Sequence, residues 1–296
     1  MNQKNFQVTF SNSKSFLSTI NKVFEKYGVV LIKDLLKQNK DKKNLASSEV
    51  FSSALYFYKQ TANKISIKTK ISDDLKELDY YVKKLEHKDR QANTEALKLI
   101  SKSSAMMNYS NNDELLKVVS SLLNIKKNNL LLESFGAFVP NIPSNTTRLY
   151  TWHSESHWLP YRKNFVNLWA PLFRKKKKYS GTMLLKPFSH KERHLFYEYQ
   201  GYENKLQSDS YTQYEIIEEK KFEEVHINAD DGDVVFFNQN LLHKSELNLS
   251  SDIGYLYVNR FFNIEKDLTI SSNLNLRPYS SESAKIGRKL NIKNKY

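Results

Sequence analysis

The chain has 296 residues, and its 46 Lys and Arg against 32 Asp and Glu leave a formal net charge of +14. Apolar residues make up 40% and aromatics 13%, too many for a disordered chain. No apolar run reaches the roughly 18 residues of a transmembrane helix, and the lack of cysteine excludes disulfides, thiolate nucleophiles and Cys-ligated metal sites.

The charge points toward a nucleic-acid or membrane-surface partner. However, lysine supplies 38 of the 46 cations, whereas base-edge and phosphate forks favour arginine. A nucleic-acid partner is therefore not expected. The opening MNQKNFQVTF has no apolar signal core, so a cytoplasmic location is expected.

Residues 1–125 read as largely helical. Ser11 or Ser13 is placed to cap a helix carrying Phe16, Ile20, Val23 and Phe24 on one stripe. Gly28 ends that helix, and Val29-Val-Leu-Ile32 reads as a short buried strand. Lysine-rich helices follow between about 47 and 108, with apolar positions such as Leu75, Leu78, Tyr81 and Leu85. Asn112 or Asp113 opens another helix through Leu123.

After residue 130 the pattern changes to strands and turns. Strands are expected at Leu131–Val139, Thr146–Trp152, Phe165–Leu172, Thr182–Lys186, Phe222–Ile227, Asp233–Phe237 and Gly254–Phe262. So many short strands point to a jelly roll, mainly β with α, whose helical N-terminal part covers one face. The expected organisation is one domain over 1–265, with its jelly-roll core at 126–265 and a basic tail at 266–296.

Without cysteine, a transition-metal site must draw on histidine and carboxylate. H-x-[DE] on a strand puts an imidazole and a carboxylate on one face. Two histidines and one carboxylate form the facial triad of non-haem iron oxygenases. The dipeptide pattern alone is weak, since chance supplies about 0.8 occurrences. The chain has His87/Asp89, His190/Glu192 and His153/Glu155. The first lies in a charged helical stretch, where a solvated face explains it. The second comes after a Pro-Phe-Ser turn and starts a helix. The third ends the apolar strand Leu149-Tyr-Thr-Trp152, where a barrel mouth presents ligands. A third ligand is expected from a later strand: His243 comes after the turn and buried strand Asp231-Gly-Asp-Val-Val-Phe-Phe237.

This arrangement resembles the phytanoyl-CoA dioxygenase-like family of Fe(II)/2-oxoglutarate oxygenases. Trp152-His-Ser-Glu-Ser-His-Trp-Leu-Pro-Tyr-Arg162 is similar to the family's W-H-x-D segment and its H-[YW]…P-[FY]-R continuation. Phe165-Val-Asn-Leu-Trp-Ala-Pro-Leu172 is similar to the strand with a central tryptophan. Ser180-Gly-Thr-Met-Leu-Leu-Lys-Pro-Phe-Ser-His-Lys191 resembles N-G-x-L…P-G-S-H-K. Gly232-Asp-Val-Val-Phe-Phe237 and His243-Lys-Ser-Glu-Leu-Asn-Leu-Ser250 resemble G-D-x-x-x-F and H-x-S-x-x-N-x-S. With Tyr27–Leu36 as the opening segment, the likeness spans about residues 15–262 in order.

The resemblance implies a double-stranded β-helix with His153, Glu155 and His243 holding Fe(II), and with 2-oxoglutarate and O2 as co-substrates. Glutamate replaces the commoner aspartate, and a carboxylate at this position argues against halogenation. Ser154, Trp169 and Ser245 match positions lining the 2-oxoglutarate pocket. The family arginine that pairs with the far carboxylate aligns with Gly254. Arg260 shares the strand and face but lies roughly 20 Å further along, and matches a second family arginine. Arg148, Arg260 or an N-terminal lysine is then left to supply the cation. The implied reaction is hydroxylation of a small or carrier-linked substrate, with desaturation, epimerisation or ring closure as variants.

Close after the first two ligands, His157, Trp158, Tyr161 and Arg162 are placed to line the substrate side. The basic run Arg174–Lys178 reads as a solvated hairpin loop or as a landing site for an anionic substrate. The segment Phe196–Tyr214 reads as a lid or a surface insertion. Two alternatives stay open: an oxygenase fold that does not use 2-oxoglutarate, and a basic, non-catalytic binding protein on that fold.

Overall fold

The computed structural model describes residues 1–37, 45–132, 137–146, 149–158, 164–173, 181–192, 196–198, 214–216 and 221–263. Arg148, Tyr161, Arg162, the Arg174–Lys178 run, most of Phe196–Tyr214 and the tail lie outside the described residues, as do the side chains of His157 and Trp158.

The N-terminal helices are α1 (Phe16–Tyr27), α2 (Leu45–Lys64), α3 (Asp74–Lys88), α4 (Arg90–Ser101), α5 (Ser104–Ser110) and α6 (Asp113–Leu123). Their starts obey side-chain capping: Asp73, Asp89, Ser103 and Asn112 accept backbone N–H bonds at the heads of α3 to α6. Asp89 is thus a helix cap, which accounts for the His87/Asp89 pair without a metal. Neither Ser11 nor Ser13 caps α1. Ser15 occupies that position with no side-chain cap bond, while the Ser13 carbonyl accepts from Phe16 N–H at 3.1 Å. Among the described residues no helix is long and apolar enough to cross a membrane.

The larger sheet runs β1 (Gln7–Thr9), β2 (Val29–Lys33), β10 (Val234–Asn238), β5 (Phe165–Leu172), β12 (Gly254–Asn263) and β3 (Leu130–Leu132). Strand β4 (Ala137–Asn141) also pairs with β12. Only β1 and β2 are parallel among these pairs. A three-stranded sheet, β11 (His243–Ser245), β6 (Met183–Leu185) and β9 (Val225–His226), forms the opposite wall. Strands β7 (Phe196–Glu198) and β8 (Tyr214–Ile216) make a separate hairpin. The short helix α7 is Glu155–Trp158. This is the jelly-roll class expected.

Alternation along the central strands sorts side chains into two cores. Val166, Leu168, Ala170, Tyr255, Tyr257 and Phe261 face outward and merge with Ile20, Tyr58, Leu78, Val82 and Val119 of the helices. Each such burial contributes about 1.5–3 kcal/mol, which fixes the helical layer on the large sheet. Trp169, Met183, Leu185, Val235 and Phe237 face inward, with Leu256 and Val258 half-buried beside them.

Two strand expectations change. Of the strand expected over Leu131–Val139, the described parts are β3 and β4, both on the same flank of β12, with residues 133–136 outside the described residues. Among the described residues of the strand expected over Thr146–Trp152 there is no strand, and the bridge between His153 and His243 lies just beyond it. The Thr151 carbonyl, which a strand would offer its neighbour, instead binds the His153 ring.

Candidate metal centre

The inner face places three chemistry-bearing side chains together. His153 and His243 face each other across their bridge, each main-chain N–H bonding the other's carbonyl at 3.0 Å. Glu155, two residues on, is the first residue of α7 rather than a strand residue, so the expected shared strand face is replaced by a bridge-then-helix turn. Main-chain bonding from Ser156 N–H to the Gln239 carbonyl at 3.0 Å ties this turn to the loop before β11.

One potential ligand atom from each of the three lies within 4.8 Å of the others, and all three side chains are buried. Glu155 Oε1 is 3.5 Å from His243 Nε2 and 3.9 Å from His153 Nε2. Two atoms each about 2.1 Å from one ion stand roughly 3.0–4.2 Å apart for angles of 90–180°, so this spacing fits a shared cation.

The protonation pattern fits too. His153 Nδ1 contacts the Thr151 carbonyl at 2.6 Å, and His243 Nδ1 contacts the Leu241 carbonyl at 2.9 Å. A carbonyl only accepts, so each Nδ1 is the donor there, and Nε2 is the ring nitrogen that faces Glu155 and is placed to meet a metal. Burial, reinforced by the neighbouring His243 and Arg260 and opposed by Glu155, lowers the His153 imidazole to about 3. Burial would raise the Glu155 carboxyl, but the Arg260 guanidinium and the neighbouring His243 and His153 outweigh it. They hold the group ionised well below the usual carboxylate range. Two imidazoles and one carboxylate are the donor set of a 2-His-1-carboxylate iron centre.

Arg260 is the residue whose contact sequence reasoning missed. Its Nε and Nη2 donate to Glu155 Oε2 at 2.9 and 2.6 Å, so its guanidinium lies on the candidate ligand. Phe237 presses edge-on to the His243 ring, with centroids 4.7 Å apart. Of the other candidates, Trp169 faces the inner core. Ser154 is buried and its Oγ lies 3.2 Å from Ser156 Oγ. Ser245 sits on β11, its N–H bonding the Tyr150 carbonyl at 3.1 Å. Trp152 turns the other way from His153, under the ammonium groups of Lys186 and Lys244 at 4.3 and 4.7 Å. Among the described residues His190 joins no metal-ligand cluster: it lies in a 3-10 turn, its Nε2 bonding the Glu25 carbonyl at 3.1 Å.

Residues 24–253 match the family model described as "Phytanoyl-CoA dioxygenase (PhyH)". No curated protein matches the chain. Among solved structures, EctD from S. alaskensis, crystallised with 2-oxoglutarate and 5-hydroxyectoine, aligns with a TM-score of 0.54 at 12% identity. That alignment covers 86% of this chain and 79% of EctD. EvdO2 from Micromonospora carbonacea var. aurantiaca, complexed with 2-oxoglutarate, aligns at 0.50 and 12% identity over 86% of this chain and 93% of its own. The epimerase SnoN, in complex with Fe3+, alpha ketoglutarate and nogalamycin RO, aligns at 0.50 and 9% identity over 85% of each chain. At these identities the likeness establishes the fold.

Proposed function

The chain belongs to the phytanoyl-CoA dioxygenase family, and from that premise we propose that it is an Fe(II)/2-oxoglutarate-dependent oxygenase that hydroxylates a small or carrier-linked substrate. The observation that carries this reading is the buried His153–Glu155–His243 cluster, with both imidazole Nε2 atoms and one carboxylate oxygen converging. His153, Glu155 and His243 would hold Fe(II). When bound, Fe(II) with 2-oxoglutarate and O2 supplies an oxidant able to attack unactivated C–H bonds.

The protein's own residues hold and shield that centre. The Thr151 and Leu241 carbonyls orient the two rings, and Phe237 packs on one of them. Trp169, Met183 and Leu185 exclude water from the interior, while half-buried Leu256 and Val258 offer an apolar wall to a substrate. Hydroxylation is the default outcome of such a site. Desaturation, epimerisation or ring closure depends on which substrate bond faces the metal, and SnoN, of similar fold, is an epimerase.

The test is 2-oxoglutarate turnover to succinate with Fe(II), in wild type and His153→Ala. Wild type is expected to turn over and the variant to lose at least about 100-fold. Equal activity in both would overturn the reading.

One observation favours a second reading, an oxygenase that takes another reductant. The Arg260 guanidinium is on Glu155, and the resemblance sets Gly254 at the position of the family's carboxylate-binding arginine. Turnover with ascorbate or a reduced flavin in place of 2-oxoglutarate would select it.

A further inference from the structure

Glu155 gives its two oxygens to different neighbours. Oε1 lies 3.5 and 3.9 Å from the Nε2 atoms of His243 and His153. Oε2 accepts two N–H bonds from Arg260, at 2.9 and 2.6 Å. A planar guanidinium donates in a fixed fork, so two bonds to one oxygen set the rotation of the carboxylate as well as its position. Both side chains are nearly buried, at 12% and 9% exposure, so water does not compete strongly for Oε2.

Arg260 is itself held from the helical layer. Its main-chain N–H bonds Asn259 Oδ1 at 2.8 Å, and Asn259 Nδ2 donates to the Tyr257 hydroxyl at 2.6 Å. That hydroxyl meets Ser110 Oγ of α5 at 2.5 Å, and Ser110 Oγ donates to the Met106 carbonyl at 2.8 Å.

A carboxylate can bind a cation through one oxygen or both, and a glutamate with a free second oxygen has the reach for both. Two-oxygen binding would occupy one more coordination position. An α-keto acid also needs two adjacent positions, for its keto and carboxylate oxygens, and O2 needs a third. Three protein donors on a six-coordinate ion leave three.

We propose that Arg260 is a positioning residue that confines Glu155 to one-oxygen coordination and thereby keeps a position open for the α-keto acid chelate. Charge supports the same assignment. With dianionic 2-oxoglutarate on Fe(II), the charges of Glu155, the metal and the co-substrate leave one negative charge, which Arg260 cancels inside a buried site. The inference rests on the Fe(II)/2-oxoglutarate reading given above.

The experiment is anaerobic titration of Fe(II) into wild type, Arg260→Met and Arg260→Lys, and then titration of two α-keto acids. These are 2-oxoglutarate and pyruvate, which chelates the same way but lacks the far carboxylate. Binding is read from the visible metal-to-ligand charge-transfer band and from calorimetry. In Arg260→Met, Fe(II) is expected to bind no more weakly than in wild type, because a cation beside the metal has been removed. Both keto acids are expected to bind about tenfold or more weakly. Arg260→Lys, which keeps the charge but offers no fork, should fall between, with both keto acids affected alike. Loss of 2-oxoglutarate binding with pyruvate unaffected, in either variant, would assign Arg260 to the far carboxylate and overturn the proposal. Unchanged binding of both keto acids, or loss of Fe(II) affinity along with them, would also overturn it. Wild type that takes up no Fe(II) would overturn the functional reading, and this inference with it.

Discussion

The two nitrogens of His153 do different work. Nδ1 anchors the ring to the Thr151 carbonyl and Nε2 faces Glu155 and His243. Burial keeps the imidazole neutral down to about 3, whereas in an unfolded chain it protonates near 6.5. Between those values the unfolded state binds a proton that the folded state refuses. The stability contributed is full above about 6.5 and falls as the pH drops toward 3. Glu155, held ionised by Arg260, adds to the loss below the ordinary carboxylate range. Denaturant midpoints of the metal-free protein should therefore decline from pH 7 to pH 4, and the decline should be shallower in His153→Gln. Equal slopes would contradict the assignment. The residue types of this site were legible in the sequence, because lack of cysteine left only histidine and carboxylate. The contact from Arg260 to Glu155 was not, since it joins residues 105 apart and no local spacing encodes it.

At the scale of elements, Gly28 shows how one backbone position joins a helix, a strand and a loop. It ends α1 at φ 75° with its N–H on the Phe24 carbonyl at 2.7 Å, and its carbonyl accepts from Asn238 N–H at 2.8 Å. A Cβ there would come within 2.3 Å of His190 Nδ1. Gly28→Ala should destabilise the fold by about 1–3 kcal/mol through left-handed strain and this clash. His190→Ala in the same chain should recover the clash part, a coupling that a double-mutant cycle of denaturation free energies would reveal.

The Tyr257 hydroxyl links β12 to α5. Tyr257→Phe strands the buried Asn259 amide and should cost about 1–3 kcal/mol, read the same way. Capping and periodicity made α6 and β5 readable to the residue. Glycine made the end of α1 readable. The strand over Thr146–Trp152 was misread because its alternation is apolar, yet the Thr151 carbonyl is taken by an imidazole rather than by a ladder. Helix α7 was missed because four residues carry no period.

Across the whole molecule, one strand set serves two interiors. The outward faces of β5 and β12 hold the helical layer, and their inward faces hold Trp169 in the inner core and Arg260 on Glu155. The net charge of +14 says little about this centre, where the guanidinium of Arg260 meets Glu155. We propose that this interior binds Fe(II) through His153, Glu155 and His243 and then chelates 2-oxoglutarate. The decisive measurement is anaerobic addition of 2-oxoglutarate to the Fe(II)-loaded wild-type protein. The expected result is a visible charge-transfer band that saturates at one equivalent and is absent in His243→Ala. A wild-type protein that binds Fe(II) without developing that band, or that binds none, would contradict it.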